Sequence, residues 1–261
     1  MDSETGAWPR WRGDTDGSRP SLSQGPLVRT WLTAGGLLLF SAASVAVLDQ
    51  AVSGYLNTHR LSDELADLFQ AAEHFGTPYG AALILVTVWL THPHLRSRVS
   101  RTLVAAITAG LLADLIKLCV SRTRPKAFDF ELSIQSSFTG LFQWGAGGSV
   151  QQGFPSAHTA FAMALAVMLG ELFPQARRWF LGLGVLVALH RVTTLAHFPS
   201  DVLAGAAVGL VTARYFLGTT PLGLVYDRME RRYFPDEAPG QVGGLAASSP
   251  AMAHAEPARS L

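Results

Sequence analysis

Gly153-Phe154-Pro155-Ser156-Ala157-His158-Thr159 stands at the mouth of an almost wholly apolar run that continues to Leu169. Pro155 suits the first turn of a helix, where its missing N–H costs nothing. The unpaired N–H groups and positive dipole end of such a helix attract an anion such as phosphate. Ser156 and His158 beside that end supply a hydroxyl donor and a titratable acid or base. Alone, a Ser-x-His at a helix start is more often simple capping.

Two further stretches change that balance. Lys117, Arg122, Arg124 and Lys126 gather around the end of one apolar run, and the segment His190 to Asp201 holds Arg191, His197 and Asp201. His197 and Asp201 are four residues apart, one helical turn, so the carboxylate can reach back to the ring. A carboxylate on one ring nitrogen fixes the tautomer and leaves the other free to attack or to accept a proton. With His158 across the same volume, one imidazole can act as nucleophile while the other protonates a leaving oxygen.

Each patch also has a plainer reading. Lys117 could be only the i+3 ion-pair partner of Asp114 or a snorkelling lysine. Arg122, Arg124 and Lys126 could be a basic cluster against lipid headgroups. His197 with Asp201 is often only a hydrogen bond at a helix start.

The elements that must position these residues are apolar. Hydrophobic residues make up 49% of the 261-residue chain and charged residues 15%, and mean hydropathy is +0.25. The apolar residues come in blocks between polar loops, the pattern of a polytopic membrane protein. A net charge of +1 argues against a general nucleic-acid binder. The one cysteine, Cys119, excludes an internal disulfide and reads as a packing residue.

The sequence predicts six spans: Trp31–Leu48, Pro78–Thr91, Thr102–Val120, Phe154–Phe173, Trp179 to about Leu195, and Phe198–Leu217. Residues 1–30 read as a disordered tail, 31–217 as the transmembrane domain, and 218–261 as a second, mostly disordered tail. Between the first two spans, Leu61, Leu65, Leu68, Phe69 and Ala72 recur at helical spacing. They suggest an amphipathic helix at the membrane surface with Ser62 as N-cap; an ordinary solvated helix fits as well. Thirteen basic residues outside the spans fall on the side of the two termini, against Arg60, Arg122, Arg124, Lys126 and, at the end of the fifth span, Arg191 on the other. By the positive-inside tendency both termini are cytoplasmic. The starts of spans four and six, with Lys117, Arg124 and Arg191, then surround one volume at the outer surface, suited to a multiply charged anion.

In order and with these spacings, Lys117-x6-Arg124-Pro125, Pro155-Ser156-Ala157-His158 and Arg191-x5-His197-x3-Asp201 resemble the three-part signature of the type 2 phosphatidic acid phosphatases. These are membrane lipid phosphatases related in fold to soluble bacterial acid phosphatases and vanadium haloperoxidases. The resemblance covers the helical core and not the tails. It implies an all-α, six-helix integral membrane bundle that hydrolyses a phosphate monoester or diphosphate on a membrane lipid. His197 would form a phosphohistidine, oriented by Asp201, and His158 would protonate the leaving group. Lys117, Arg124, Arg191, Ser156 and the backbone near Ala157 would stabilise the transferring phosphoryl. The cations take the place of a metal, so neither metal nor cofactor is expected.

The sequence departs from that signature twice. Ala157 stands where glycine is usual, a mild handicap if the position needs φ > 0. His190 stands where serine is usual, which touches a secondary contact or adds a pH-sensitive donor. The expected enzyme works at the outer face of a bacterial-type plasma membrane on phosphatidate, phosphatidylglycerophosphate, undecaprenyl diphosphate or lipid A phosphate; the sequence does not choose among them, nor does it fix an oligomeric state. A lipid-to-lipid phosphotransferase is the alternative within the family. A transporter is the alternative outside it, but that would spread charges through the membrane depth and repeat its helices.

Overall fold

The computed structural model describes residues 25–59, 61–142, 148–218 and 220–234. Among these, eight α-helices and one small β-hairpin follow in order: α1 (Gly25–Thr58), α2 (Asp63–Glu73), α3 (Pro78–Thr91), α4 (Arg96–Cys119), β1 (Val120–Arg122), β2 (Phe138–Leu141), α5 (Ala157–Leu172), α6 (Arg177–Thr193), α7 (Pro199–Phe216) and α8 (Pro221–Tyr233). The all-α expectation holds.

Helix α5 is apolar on every side, as a helix surrounded by protein must be. It packs against α4, α6 and α7, and α1 lies along α7. Small residues bring these axes together. Ala105, Ala109 and Ala113 of α4 pack with Ala160 and Ala164 of α5. On α7, a Cβ at Gly209 would stand 2.3 Å from the Ala160 carbonyl oxygen, and one at Gly205 2.5 Å from that of Ser156. Only glycine permits this backbone-to-backbone approach, and it sets α7 directly against the start of α5.

The outer faces are apolar too. Leu32 and Leu39 on α1, Leu83 and Trp89 on α3, Leu111 and Leu115 on α4, and Val185 on α6 are all exposed. Such a belt of large apolar side chains suits a lipid surround. The chain is a membrane protein.

Each of the six expected spans coincides with a helix. Two, Arg29–Thr58 and Pro93–Cys119, are long and apolar enough to cross a membrane, and α7 with α8 would make a third across a 49° bend. Helices α3 and α5 are apolar but short; the 16 residues of α5 reach about 24 Å. Helix α1 extends well past the expected end at Leu48, through Asp49 to Thr58. Its charge at Asp49 hid the continuation.

Helix α2 forms where the amphipathic pattern placed it. Ser62 occupies the N-cap position, but its side chain makes no capping bond. The first tail's residues 1–24 lie outside the described residues, and α1 already begins at Gly25. The second tail contains α8, which the sequence reading did not separate from it. Arg101 of α4 holds α8 through Asp227 at 2.6 Å and Glu230 at 2.9 Å. Residues 235–261 lie outside the described residues.

Candidate active site

The expected site residues converge at one end of the bundle. Lys117 closes α4, His158 opens α5, Arg191 ends α6 and Asp201 opens α7. Arg124 lies in the connection after β1, and His197 in the turn between α6 and α7. The connection from α4 to α5 crosses this end: Arg124 N–H donates to the Val150 carbonyl at 2.9 Å and Lys126 N–H to that of Leu195 at 3.0 Å.

Helix α5 starts at Ala157, not at Pro155, with Ser156 as N-cap. The Ser156 hydroxyl oxygen accepts from Thr159 Oγ1 at 3.0 Å and from the Thr159 amide at 3.4 Å. The amides of Ala157 and His158, first and second in the helix, have no carbonyl four residues back to bond. Among the described residues outside glycine, positive φ occurs only at Phe142 and Leu195, so Ala157 needs no left-handed backbone and its methyl group is tolerated.

The turn carrying His197 is closely tied to Arg191. Leu195 N–H donates to the Val192 carbonyl at 2.9 Å, and Ala196 N–H to that of Arg191 at 3.1 Å. With Leu195 at φ 54°, this is a Schellman motif with leucine in glycine's usual place. The His197 amide also donates to the Arg191 carbonyl, at 3.0 Å. The cation and the imidazole are thus set by one helix end.

His197 is 1% exposed, and its Nδ1 lies 2.7 Å from the Gly153 carbonyl oxygen. A carbonyl only accepts, so Nδ1 carries the proton and Nε2 the lone pair. The sequence reading gave that orienting role to Asp201, whose Oδ2 is 3.7 Å away. The i,i+4 reasoning fails because His197 precedes α7 and is not on it. Asp201 instead caps the helix: Oδ2 accepts from the Phe198 amide at 2.7 Å, and Oδ1 takes Arg122 at 2.5 Å. Asp201 remains a charge near the ring. Burial pushes the His197 imidazole below its ordinary value, against the nearby charge of Asp201, with Arg191 and Lys117 adding to the lowering.

The basic cluster divides. Arg122 is fully buried, Arg124 half-buried and Lys126 exposed. Arg122 therefore cannot meet headgroups. Its Nη2 donates to Asp49 Oδ2 at 2.6 Å, its Nη1 to Ser200 Oγ at 2.6 Å, and its Nε to Ser137 Oγ at 3.1 Å. Phe138 and Phe198 cover its two faces, each ring centre 4.3 Å away. Both Asp49 and the role of Arg122 were missed. The available signal was a carboxylate inside a long apolar helix, which must find a partner.

Lys117 pairs with Asp114 at 2.7 Å, and Arg191 with Glu73 at 2.8 Å. Glu73, the last residue of α2, was also missed; its Oε2 is 3.8 Å from Nδ1 of buried His190, the departure from the signature. His158 lies within electrostatic reach of Arg191, Glu73, His197 and Lys117. Burial lowers the Arg124 guanidinium's pKa while Asp201 raises it. The Nε atoms of Arg124 and Arg191 are buried without a protein partner, so both cations keep donor capacity for an anion.

A cleft of about 190 Å³ opens beside His158, lined by Pro78, Ile107, Gly110, Leu111, Asp114 and Phe161 among others. It is mostly apolar, with His158 and Asp114 as its polar members. Among the described residues no group of three or more His, Cys, Asp or Glu is placed to hold a metal ion.

Among curated relatives, the "Lipid A 1-phosphatase" of Rhizobium etli is 34% identical over 146 residues, 51% of this chain and 59% of that protein. The "Lipid A 1-phosphatase" of Rhizobium johnstonii is 35% identical over 115 residues, 42% of this chain and 44% of that protein. The chain therefore spans about three fifths of the first and under half of the second. The crystal structure of Aquifex aeolicus LpxE aligns at TM-score 0.48 and 21% identity, over 64% of this chain and 93% of that one. Lys117, Arg124, His158, Arg191, His197 and Asp201 all fall within residues 98–221, the segment of this chain that matches the PAP2 superfamily model.

Proposed function

We propose that the protein is a lipid phosphatase that works without a metal and through a phosphohistidine on His197. The observation that carries this reading is the buried His197 ring, whose Nδ1 is held by the Gly153 carbonyl, leaving Nε2 free, with Arg191 and Lys117 close enough to act on it. Nε2 attacks phosphorus as the bond to the leaving oxygen breaks, and His158 delivers a proton to that oxygen. Lys117, Arg124, Arg191 and the first amides of α5 stabilise the charge on the transferring phosphoryl. Water, deprotonated by His158, then attacks the phosphohistidine, releasing phosphate and the free imidazole.

The substrate stays partly in the bilayer, its apolar chain suited to the cleft beside His158. The names of the two rhizobial relatives make lipid A 1-phosphate the first substrate to test. Phosphatidate and undecaprenyl diphosphate follow from the signature. In this reading the helical domain crosses the inner membrane six times, with both termini cytoplasmic and the site outside, supported by the imbalance of basic residues.

Purified protein in detergent with excess EDTA should release phosphate from at least one of these lipids. Activity that vanishes on dialysis and returns with Mg²⁺ or Zn²⁺ would overturn the mechanism.

A further inference from the structure

We propose that Asp49, on α1 and outside the segment that matches the superfamily, is a positioning residue for His197, acting through Arg122 and Gly153. The proposal rests on the reading of His197 as the nucleophile.

The connection is continuous and buried. Asp49 is 0% exposed, and its Oδ2 accepts from Arg122 Nη2 at 2.6 Å. The Arg122 backbone carbonyl accepts from the Gly153 amide at 2.9 Å. The Gly153 carbonyl in turn takes the Nδ1 proton of His197 at 2.7 Å. A second branch runs through α7 to the start of α5. Asp49 accepts from the Ser200 amide at 2.9 Å and from Ser200 Oγ at 2.5 Å, beside Asp201. The Asp201 carbonyl then accepts from the Ser156 amide at 3.0 Å, at the cap of α5.

Asp201 alone would neutralise the Arg122 charge. Asp201 and Ser200, however, hold only Nη1 and Ser137 only Nε, so Nη2 has Asp49 as its partner. Asp49 on Nη2 and Asp201 on Nη1 hold the plane from two sides, between the rings of Phe138 and Phe198. The Arg122 backbone is thereby fixed, and with it Gly153, whose added Cβ would stand 2.7 Å from the Arg122 carbonyl oxygen. Removing the Asp49 charge frees Nη2, and the displacement passes to the one carbonyl that sets the His197 tautomer.

The experiment measures kcat and KM for p-nitrophenyl phosphate with the full chain in detergent, together with thermal unfolding. The variants are Asp49→Asn, Gly153→Ala, the pair combined, and His197→Ala. Asp49→Asn and Gly153→Ala should each lower kcat by about 10- to 100-fold, as a misaligned nucleophile does, with KM within about twofold. Acting on one path, the two together should lose little more than the worse single variant. Losses that multiply, a raised KM with kcat intact, or a loss matched by the unfolded fraction would overturn the proposal. Gly153 lies in the connection ahead of α5, so should Asp49→Asn fail to fold, unchanged kcat in Gly153→Ala still overturns it. Full activity in His197→Ala would sink the nucleophile reading itself. An inactive His197→Ala beside a fully active Asp49→Asn would sink only the role of Asp49.

Discussion

Glu73 Oε1 lies 2.8 Å from Arg191 Nη1, so a carboxylate holds one of the cations expected to bind phosphate. An incoming phosphoryl group must compete with it for Arg191. Glu73→Gln keeps the shape and removes the charge. Inhibition by inorganic phosphate should tighten by about tenfold, equivalent to about 1.4 kcal/mol. Weaker inhibition would mean that Glu73 presents Arg191 to the phosphate and does not compete for it.

The burial of His197 fixes the sign of one pH effect. Its imidazole is held below the ordinary value of about 6.5, so the folded site stays unprotonated where a free imidazole would take a proton. The acid limb of kcat/KM assigned to the nucleophile should therefore fall below about pH 6.5. Stability follows by linkage: below about pH 6.5 the unfolded chain binds a proton that the fold refuses, so stability drops as pH falls. A pH–rate profile whose nucleophile limb lies above 6.5 would contradict the buried, neutral ring.

His158 is the expected general acid. His158→Ala should cost several hundredfold on an alkyl lipid phosphate, whose alkoxide needs a proton to leave. On an aryl phosphate, whose phenolate leaves unaided, it should cost much less. His197→Ala should fail on both. Rescue of His197→Ala, and not of His158→Ala, by the better leaving group would reverse the assignment.

Gly209→Ala tests the packing that sets α7 against α5. Its Cβ would meet the Ala160 carbonyl at 2.3 Å, a backbone atom that cannot move aside alone. Overpacking of this kind costs about 1–3 kcal/mol, read as a lower unfolding temperature in detergent. An unchanged midpoint would show that the two helices can separate freely.

Much of this arrangement was legible in the residues. Apolar blocks located six of the helices, and motif spacing pointed to Lys117, Arg124, His158, Arg191, His197 and Asp201. What was not legible came from contacts between segments far apart in sequence. Asp49 looked like the end of a span because a charge interrupts hydropathy, yet Arg122, 73 residues later, neutralises it. Asp201 looked like the His197 partner because their spacing is helical, yet α7 begins only at Pro199. The Gly153 carbonyl that replaces it is a backbone atom, which no pattern of side chains reveals. Glu73 gave no signal because nothing local shows that α2 ends against α6.

The central claim is that His197 carries the phosphoryl group. Purified protein should be mixed with ³²P-labelled lipid phosphate, quenched in alkali within the first turnover, and mapped by peptide mass spectrometry. A phosphoryl group on His197, absent from His197→Ala and lost in acid, is the expected result. Turnover without any labelled protein, or label on His158 instead, would contradict it.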